Sequence, residues 1–231
     1  MKEKLAIVWN YLKRVILFFF LSSIGVTILY RFFNPPITYL MLQRVFEQWS
    51  NGKDAKMDKE WKQLGEISPS LPIAVVASED QLFMEHWGFD FKSIEKAYEN
   101  NQKKKRRTVR GASTISQQVA KNVFLWPGRS WIRKGLEVYF TLLIEVLWDK
   151  PRIMEVYLNV TEMGDGIYGV ERASRNYFKR GANKVSRTQA ALIAAILPNP
   201  RKYSAVRPSA YIKKRQEWIL RNMDYIGSLK F

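Results

Sequence analysis

Apolar positions recur along most of this chain at helical spacing, and strict alternation of apolar and polar residues is nearly absent. The first break in the pattern is an uncharged run over residues 15–30, framed by Arg14 and Arg31. It falls a little short of the roughly 20 residues a spanning helix uses, and the flanking arginines can snorkel to the interfaces to make up the difference. Lys2, Lys4, Lys13 and Arg14 precede it, so the positive-inside rule puts the N-terminus in the cytoplasm. Residues 30–36 offer no small-x-small cleavage site, which favours a retained anchor over a removed signal peptide. Pro35-Pro36 ends the anchor, so the expected organisation is residues 1–34 as tail and transmembrane anchor and 35–231 as a folded domain.

Residues 37–49 are apolar and aromatic, which suits either a membrane-surface helix or an ordinary core helix. Asn51-Gly52-Lys53-Asp54 reads as a turn, and Pro69 and Pro72 bracket the entry to an apolar run, residues 73–77, that is expected to be buried. A short helical stretch, 91–99, leads into the basic run 103–110, expected as a flexible loop near a substrate entrance. Thr114 with Gln117 forms a capping box, so a helix begins there, with Thr114, Gln118 and Lys121 on one face and Ile115, Val119 and Val123 on another. Ser130 caps a helix reaching about Trp148, with Ile132, Leu136, Tyr139, Phe140, Leu143 and Leu147 as its apolar stripe. Asp149-Lys150-Pro151 starts another helix, which breaks into a glycine-rich loop, 164–169. Residues 171–178 are helical, Ser186 with Gln189 is a second capping box, and a last amphipathic helix runs over 209–226 with Gly227 as its stop. Beyond the anchor the expected fold is all helical, without internal repeats.

Charge changes this picture. The formal net charge is +17, and five basic and one acidic residue lie before residue 35, so the domain carries +13 of it. That excess is expected outside the cytoplasm, which argues against nucleic acid and for a membrane surface or a phosphate-bearing lipid. The absence of cysteine excludes disulfides and thiolate metal sites, and a single histidine excludes a histidine-rich one.

The candidate chemistry begins where the buried run ends. Glu79 and Asp80 stand at its end, where desolvation can raise a carboxylate pKa and make a general base near neutral pH; alternatively the pair opens a solvated helix turn. The small residues Gly111, Ala112 and Ser113 let a ligand approach the helix N-terminus that follows. Arg133 and Glu137 lie four apart with the basic residue first, the weaker orientation for helix support, so structure alone explains them thinly.

Four ordered patterns carry a resemblance. Glu79, Asp80, Phe83, His86 and Gly88 fit Glu-Asp-x-x-Phe-x-x-His-x-Gly. Gly111, Ser113, Thr114, Gln117, Gln118, Lys121 and Asn122 fit Gly-x-Ser-Thr-x-x-Gln-Gln followed by Lys-Asn. Arg133, Lys134 and Glu137 fit Arg-Lys-x-x-Glu, and Tyr157, Leu158, Asn159, Gly164 and Gly169 fit Tyr-Leu-Asn with trailing glycines. Over residues 79–169 the chain thus resembles the peptidoglycan glycosyltransferases, which polymerise lipid II either alone or as the N-terminal half of bifunctional penicillin-binding proteins.

The resemblance implies a mainly α, lysozyme-like domain with a smaller membrane-associated lobe. It implies transfer of a growing polyprenyl-diphosphate-linked glycan to the 4-hydroxyl of lipid II, with inversion and release of polyprenyl diphosphate. Glu79 is then the candidate base, with Lys121 and Arg133 holding the pyrophosphate. Glu137 orients them or binds a divalent cation, magnesium or manganese; no organic cofactor is expected. Asp80, Ser113, Thr114, Gln117, Gln118, Asn122 and Lys134 are candidate substrate contacts, some of which instead hold the helix entry. His86, Phe83, Gly88, Tyr157 and Leu158 are expected in structural roles.

Expected partners are lipid II, the growing strand, the membrane and cell-wall synthesis proteins. The expected location is the cell membrane (the inner membrane in a Gram-negative source), single-pass, with the catalytic domain outside the cytoplasm. Ser50-x-x-Lys53 and Ser93-x-x-Lys96 lack a Lys-Thr-Gly partner, and the chain ends where an acyltransferase domain would begin, so no transpeptidase is expected. The rival readings are an anchored module binding anionic polymers, which leaves Glu79 and Glu137 unexplained, and a lytic enzyme of similar fold.

Overall fold

The computed structural model describes residues 2–103, 113–128 and 130–229. Residues 104–110 of the basic run, and Gly111 and Ala112 of the small-residue entry, lie outside the described residues. The chain divides into two compact units, Met1–Asn34 and Pro35–Phe231.

The first unit is a single helix, α1 (Lys2–Phe32). Within it Ala6–Phe32, with mean hydropathy 2.0, is long and apolar enough to cross a membrane. The helix begins well before the uncharged run, because the straight-chain residues Lys13 and Arg14 continue a helix readily. The hydroxyls of Ser22, Ser23 and Thr27 donate to the carbonyls of Phe19, Phe20 and Ser23 one turn earlier, so none needs a partner in lipid.

The second unit opens with α2 (Tyr39–Ser50), whose N-cap Thr38 accepts from the Met41 amide at 3.4 Å. Tyr39, Leu42, Phe46 and Trp49, spaced at i, i+3, i+7 and i+10, are all exposed, while Met41 and Gln48 are buried. The inner face is largely polar. Arg44 reaches Glu162 at 3.3 Å, and Gln48 donates to Asp165 at 3.2 Å and accepts from the Lys56 amide at 2.7 Å. Of the two expectations for residues 37–49, the core helix fails: the apolar face points outward.

A small sheet corrects the all-helical reading. It joins β1 (Asp58–Lys59), β2 (Glu162–Gly164) and β3 (Ile167–Tyr168) in the order β1-β3-β2, the first pair parallel and the second antiparallel. The stretch expected as a glycine-rich loop is therefore a hairpin. Gly166 turns it at φ +65°, where a Cβ would stand 2.4 Å from the Lys56 carbonyl. Lys59 donates from Nζ to the carbonyls of Pro35 (2.6 Å) and Pro36 (2.9 Å), tying the start of the unit to the sheet. Burial pushes its pKa down to about 8.

The remaining elements are α3 (Ser70–Glu79), α4 (Phe91–Lys103), α5 (Ile115–Phe124), α6 (Trp131–Leu147), α7 (Lys150–Val160), α8 (Gly169–Phe178), α9 (Arg187–Ile196) and α10 (Ala210–Ile226). Helices α3, α9 and α10 pack together, α5 packs on α6 and α7, and α7 on α8. Both expected capping boxes form, Thr114 with Gln117 and Ser186 with Gln189, and Gly227 stops α10 at φ +66°.

Helix α6 follows its expected stripe in part: Phe140 is buried and Leu136, Tyr139, Leu143 and Leu147 are half-buried, but further apolar residues face outward. Ile132 is exposed, as are Trp131, Val138, Leu142 and Val146, while Glu137, Thr141 and Glu145 turn inward with Phe140 and Ile144. A helix of a soluble core shows the opposite arrangement. Outward apolar faces on α2 and α6 are the kind of surface that meets a membrane or a partner.

Candidate active site

The core sets the position of the carboxylates. Leu71, Ala74, Val75, Val76 and Ala77 bury α3 along its length. Glu79 is therefore the last residue of a packed helix and Asp80 its C-cap, which rules out a solvated helix start. Asp80 is buried, with both oxygens engaged. One meets His86 Nε2 at 2.8 Å and the other accepts from the Ile115 amide, the first of α5, at 2.9 Å. Asp80 thereby pins the loop after α3 to the N-terminus of α5, a site favourable to negative charge.

That loop is held at its far end too. Thr114 donates to the Gly88 carbonyl at 2.6 Å, and Gly88 has φ +79° with no room for a Cβ, which would lie 2.6 Å from Thr141 Cγ2. Lys150 donates to the His86 carbonyl at 2.7 Å and to Glu145 at 2.9 Å, and Glu145 also accepts from Ser116. The buried Phe83 ring lies under the Lys150 ammonium, 4.7 Å from its centroid.

Glu79 is half-buried. Its carboxylate accepts from Ser78 Oγ at 3.1 Å and from Gln118 Nε2 at 3.1 Å. Gln118 in turn accepts, through Oε1, from the Tyr157 hydroxyl at 3.3 Å. A carboxylate only accepts, so Gln118 must turn its NH₂ to Glu79 and leave its oxygen for the tyrosine. Tyr157 is fully buried, and desolvation, reinforced by Glu79 and Asp80, raises its pKa well above the ordinary value. It stays a donor. The residue expected only to pack thus also orients the amide beside the candidate base.

The cations form a second group, on α5 and α6. Glu137 is buried, with one oxygen 2.8 Å from Arg133 Nη1 and the other 2.5 Å from Lys134 Nζ. The Lys121 ammonium hydrogen-bonds to no described residue. Burial pushes its pKa down, opposed by Glu137 and assisted by Arg133 and Lys134. The donor set does not fit a divalent cation held by the protein. Both Glu137 oxygens are taken by cations, and no group of three or more acidic or histidine side chains that could hold an ion occurs among the described residues.

Two clefts flank the Glu79–Gln118 hydrogen bond, Glu79 lining one and Gln118 the other. One, of about 370 Å³, is lined by Glu79, Asp80, Asp90, Ser113, Thr114 and Trp218 among others. The second, of about 400 Å³, is lined by Arg44, Gln118, Lys121, Asn122, Arg133 and Glu162 among others. The first is acidic and the second basic, with Glu162 paired to Arg44. Of the residues singled out in the sequence, Gln117 stays in its capping box, buried, and Lys134 and Glu137 brace Arg133. Arg44, Glu162, Asp90 and Trp218 were not singled out. None matches a position of the four patterns, though Glu162 falls between Asn159 and Gly164 of the fourth, and only the fold brings them to the clefts.

Chemically, the arrangement offers one carboxylate able to take a proton beside a basic cleft able to hold a polyanion. The family model that matches, described as Transglycosylase, covers residues 44–224. A biosynthetic peptidoglycan transglycosylase of Bacteroides thetaiotaomicron is 53% identical over 94% of this chain and 87% of its own length. Proteins of the same description from Xanthomonas campestris pv. campestris and Pseudomonas entomophila are each 50% identical, over 91% and 94% of this chain and 85% and 91% of their own lengths. With four motifs in order, a mainly α lysozyme-like domain and this match over most of its length, the chain belongs to the transglycosylase family.

Proposed function

We propose that the chain is a glycan-chain polymerase of peptidoglycan synthesis, without transpeptidase activity. The observation that carries this reading is the hydrogen bond that joins Glu79 of the acidic cleft to Gln118 of the basic one. The acceptor sugar presents its 4-hydroxyl to Glu79, which takes the proton as the oxygen attacks the anomeric carbon of the growing strand. The bond from that carbon to the diphosphate breaks, and the electron pair leaves with polyprenyl diphosphate. A diphosphate leaves without an acid, so its developing charge needs only cations, supplied by Lys121 and Arg133. One base and an in-line displacement invert the anomeric centre, unlike hydrolysis by two carboxylates sharing acid and base work.

Purified protein mixed with lipid II, with chain length followed over time, tests this directly. Growing strands are the expected result. Shortening of preformed glycan would make it a lytic enzyme, and binding without turnover an anchored binding module.

The same reading sets the domain outside the cytoplasm, with α1 as a single-pass anchor and the outward faces of α2 and α6 as further membrane contacts. Deleting residues 1–34 is expected to leave a folded domain that still floats with anionic liposomes at low salt. A truncated protein found wholly in the soluble fraction would refute the additional contacts.

A further inference from the structure

We infer that Trp218 is a stacking platform for a pyranose ring of the glycan substrate in the cleft that holds Glu79. The inference rests on the transferase reading and adds to it a residue outside all four sequence patterns.

Trp218 comes from α10, which packs on α3, and its side chain lines the cleft with Glu79, Asp90 and Ser93. It is 36% exposed, although the same helix buries Ile212, Ile219 and Met223 into the core. The ring is fixed from one side. The guanidinium carbon of Arg215 lies over it, 4.7 Å from the ring centroid. Arg215 is itself anchored, donating from Nη2 to the carbonyl of Ser78 at 3.1 Å and to its hydroxyl at 3.3 Å. Ser78 precedes Glu79 and donates to its carboxylate. The indole is thus tied, through one arginine, to the residue next to the base, so its distance from the reacting hydroxyl is set by the same contacts that set Glu79.

The cleft's chemistry selects a sugar. A pyranose has apolar C–H faces and a rim of hydroxyls, so it needs a flat apolar wall with fixed acceptors beside it. Trp218 supplies the wall. Asp90 supplies an acceptor: burial opposes its ionisation, but hydrogen bonds from Ser93 outweigh this and hold it below the usual carboxylate range. A diphosphate does not suit a cleft lined by Glu79, Asp80 and Asp90, and the polar lining does not suit a polyprenyl chain.

The test uses the full chain in detergent, with wild type, Trp218→Phe and Trp218→Leu compared by lipid II kinetics and thermal melting. Leucine is expected to raise KM for lipid II roughly three- to tenfold, the size of aromatic face contacts, with kcat and the melting temperature little changed. Phenylalanine keeps a flat face and should restore most of the affinity. In parallel, the indole N–H resonance of Trp218, identified among the eight tryptophans by its loss in Trp218→Phe, is followed while chitotetraose is added. A saturable shift supports the platform even if the protein proves inactive on lipid II, an outcome that would sink the transferase reading alone. An unchanged KM in Trp218→Leu together with an unmoved resonance would overturn it. So would a phenylalanine variant that loses as much affinity as leucine while melting lower, since packing and not stacking would then be the role.

Discussion

Glu79→Gln is expected to lower lipid II polymerisation by about 10²–10⁴-fold, the range for loss of a general base. The variant should fold. Its carbonyl can still accept from Gln118, and its NH₂ can face the Ser78 hydroxyl, which accepts as readily as it donates. Both hydrogen bonds survive, and only the capacity to take a proton is lost. A phosphoglycolipid inhibitor of the donor site should keep its affinity, because the proposed mechanism assigns its phosphate to the cations of the other cleft. Glu137→Gln provides the contrast: it removes a buried charge on which Arg133 and Lys134 both converge, and should weaken the inhibitor too. Turnover and inhibitor affinity measured on both variants separate the two roles. An active Glu79→Gln enzyme would strip Glu79 of its role and leave Glu137 as the carboxylate to examine next, Asp80 being committed to His86 and Ile115.

The second large effect is expected at Lys121 and Arg133. In the proposed mechanism each offers a charge-assisted contact to the leaving diphosphate, worth about 1.5–3 kcal/mol, so alanine at either should slow polymerisation about ten- to a hundredfold. Stability should separate them. The Lys121 ammonium hydrogen-bonds to no described residue and is disfavoured by burial, so Lys121→Ala should melt at or above the wild-type temperature. Arg133→Ala leaves one oxygen of buried Glu137 without its cation and should melt lower. A pH series checks the sign. A lysine whose folded pKa lies below its unfolded value binds fewer protons when folded, so its penalty is fully present below the folded value. That penalty fades as pH rises through the folded value toward the unfolded one, and the gain of Lys121→Ala should shrink with it. Near wild-type rates in both variants would leave the diphosphate without its assigned contacts.

What the sequence could say about the fold depended on the range over which each side chain acts. Capping boxes work within three residues, so Thr114–Gln117 and Ser186–Gln189 were legible, as was the glycine stop at Gly227. The hairpin of β2 and β3 was not, because strands of three and two residues are too short to show a period. The face of α6 was not, because Trp131, Ile132, Val138, Leu142 and Val146 make the helix apolar nearly all round. A stripe drawn on hydrophobicity alone then has no unique direction. The inward turn of Glu145 is set by partners on other elements, Ser116 and Lys150, whereas Glu137 and Thr141 are held by partners on α6 itself. In the site, motif residues were found because their types suit the chemistry. Tyr157 was read as packing because its partner Gln118 is 39 positions away, and Trp218 lies beyond every motif.

With the membrane contacts proposed for the outward faces of α2 and α6, the lipid bilayer becomes a ligand of the native state. Apolar surface that α2 and α6 show to water is surface the core does not use, so burying it elsewhere stabilises the folded chain without altering an internal contact. Anything that binds the native form and not the unfolded one raises stability by mass action, in proportion to the logarithm of its concentration over its dissociation constant. The melting temperature of the domain without α1 should therefore climb with the amount of vesicle present, and a single value measured in buffer describes a protein separated from part of its own solvent.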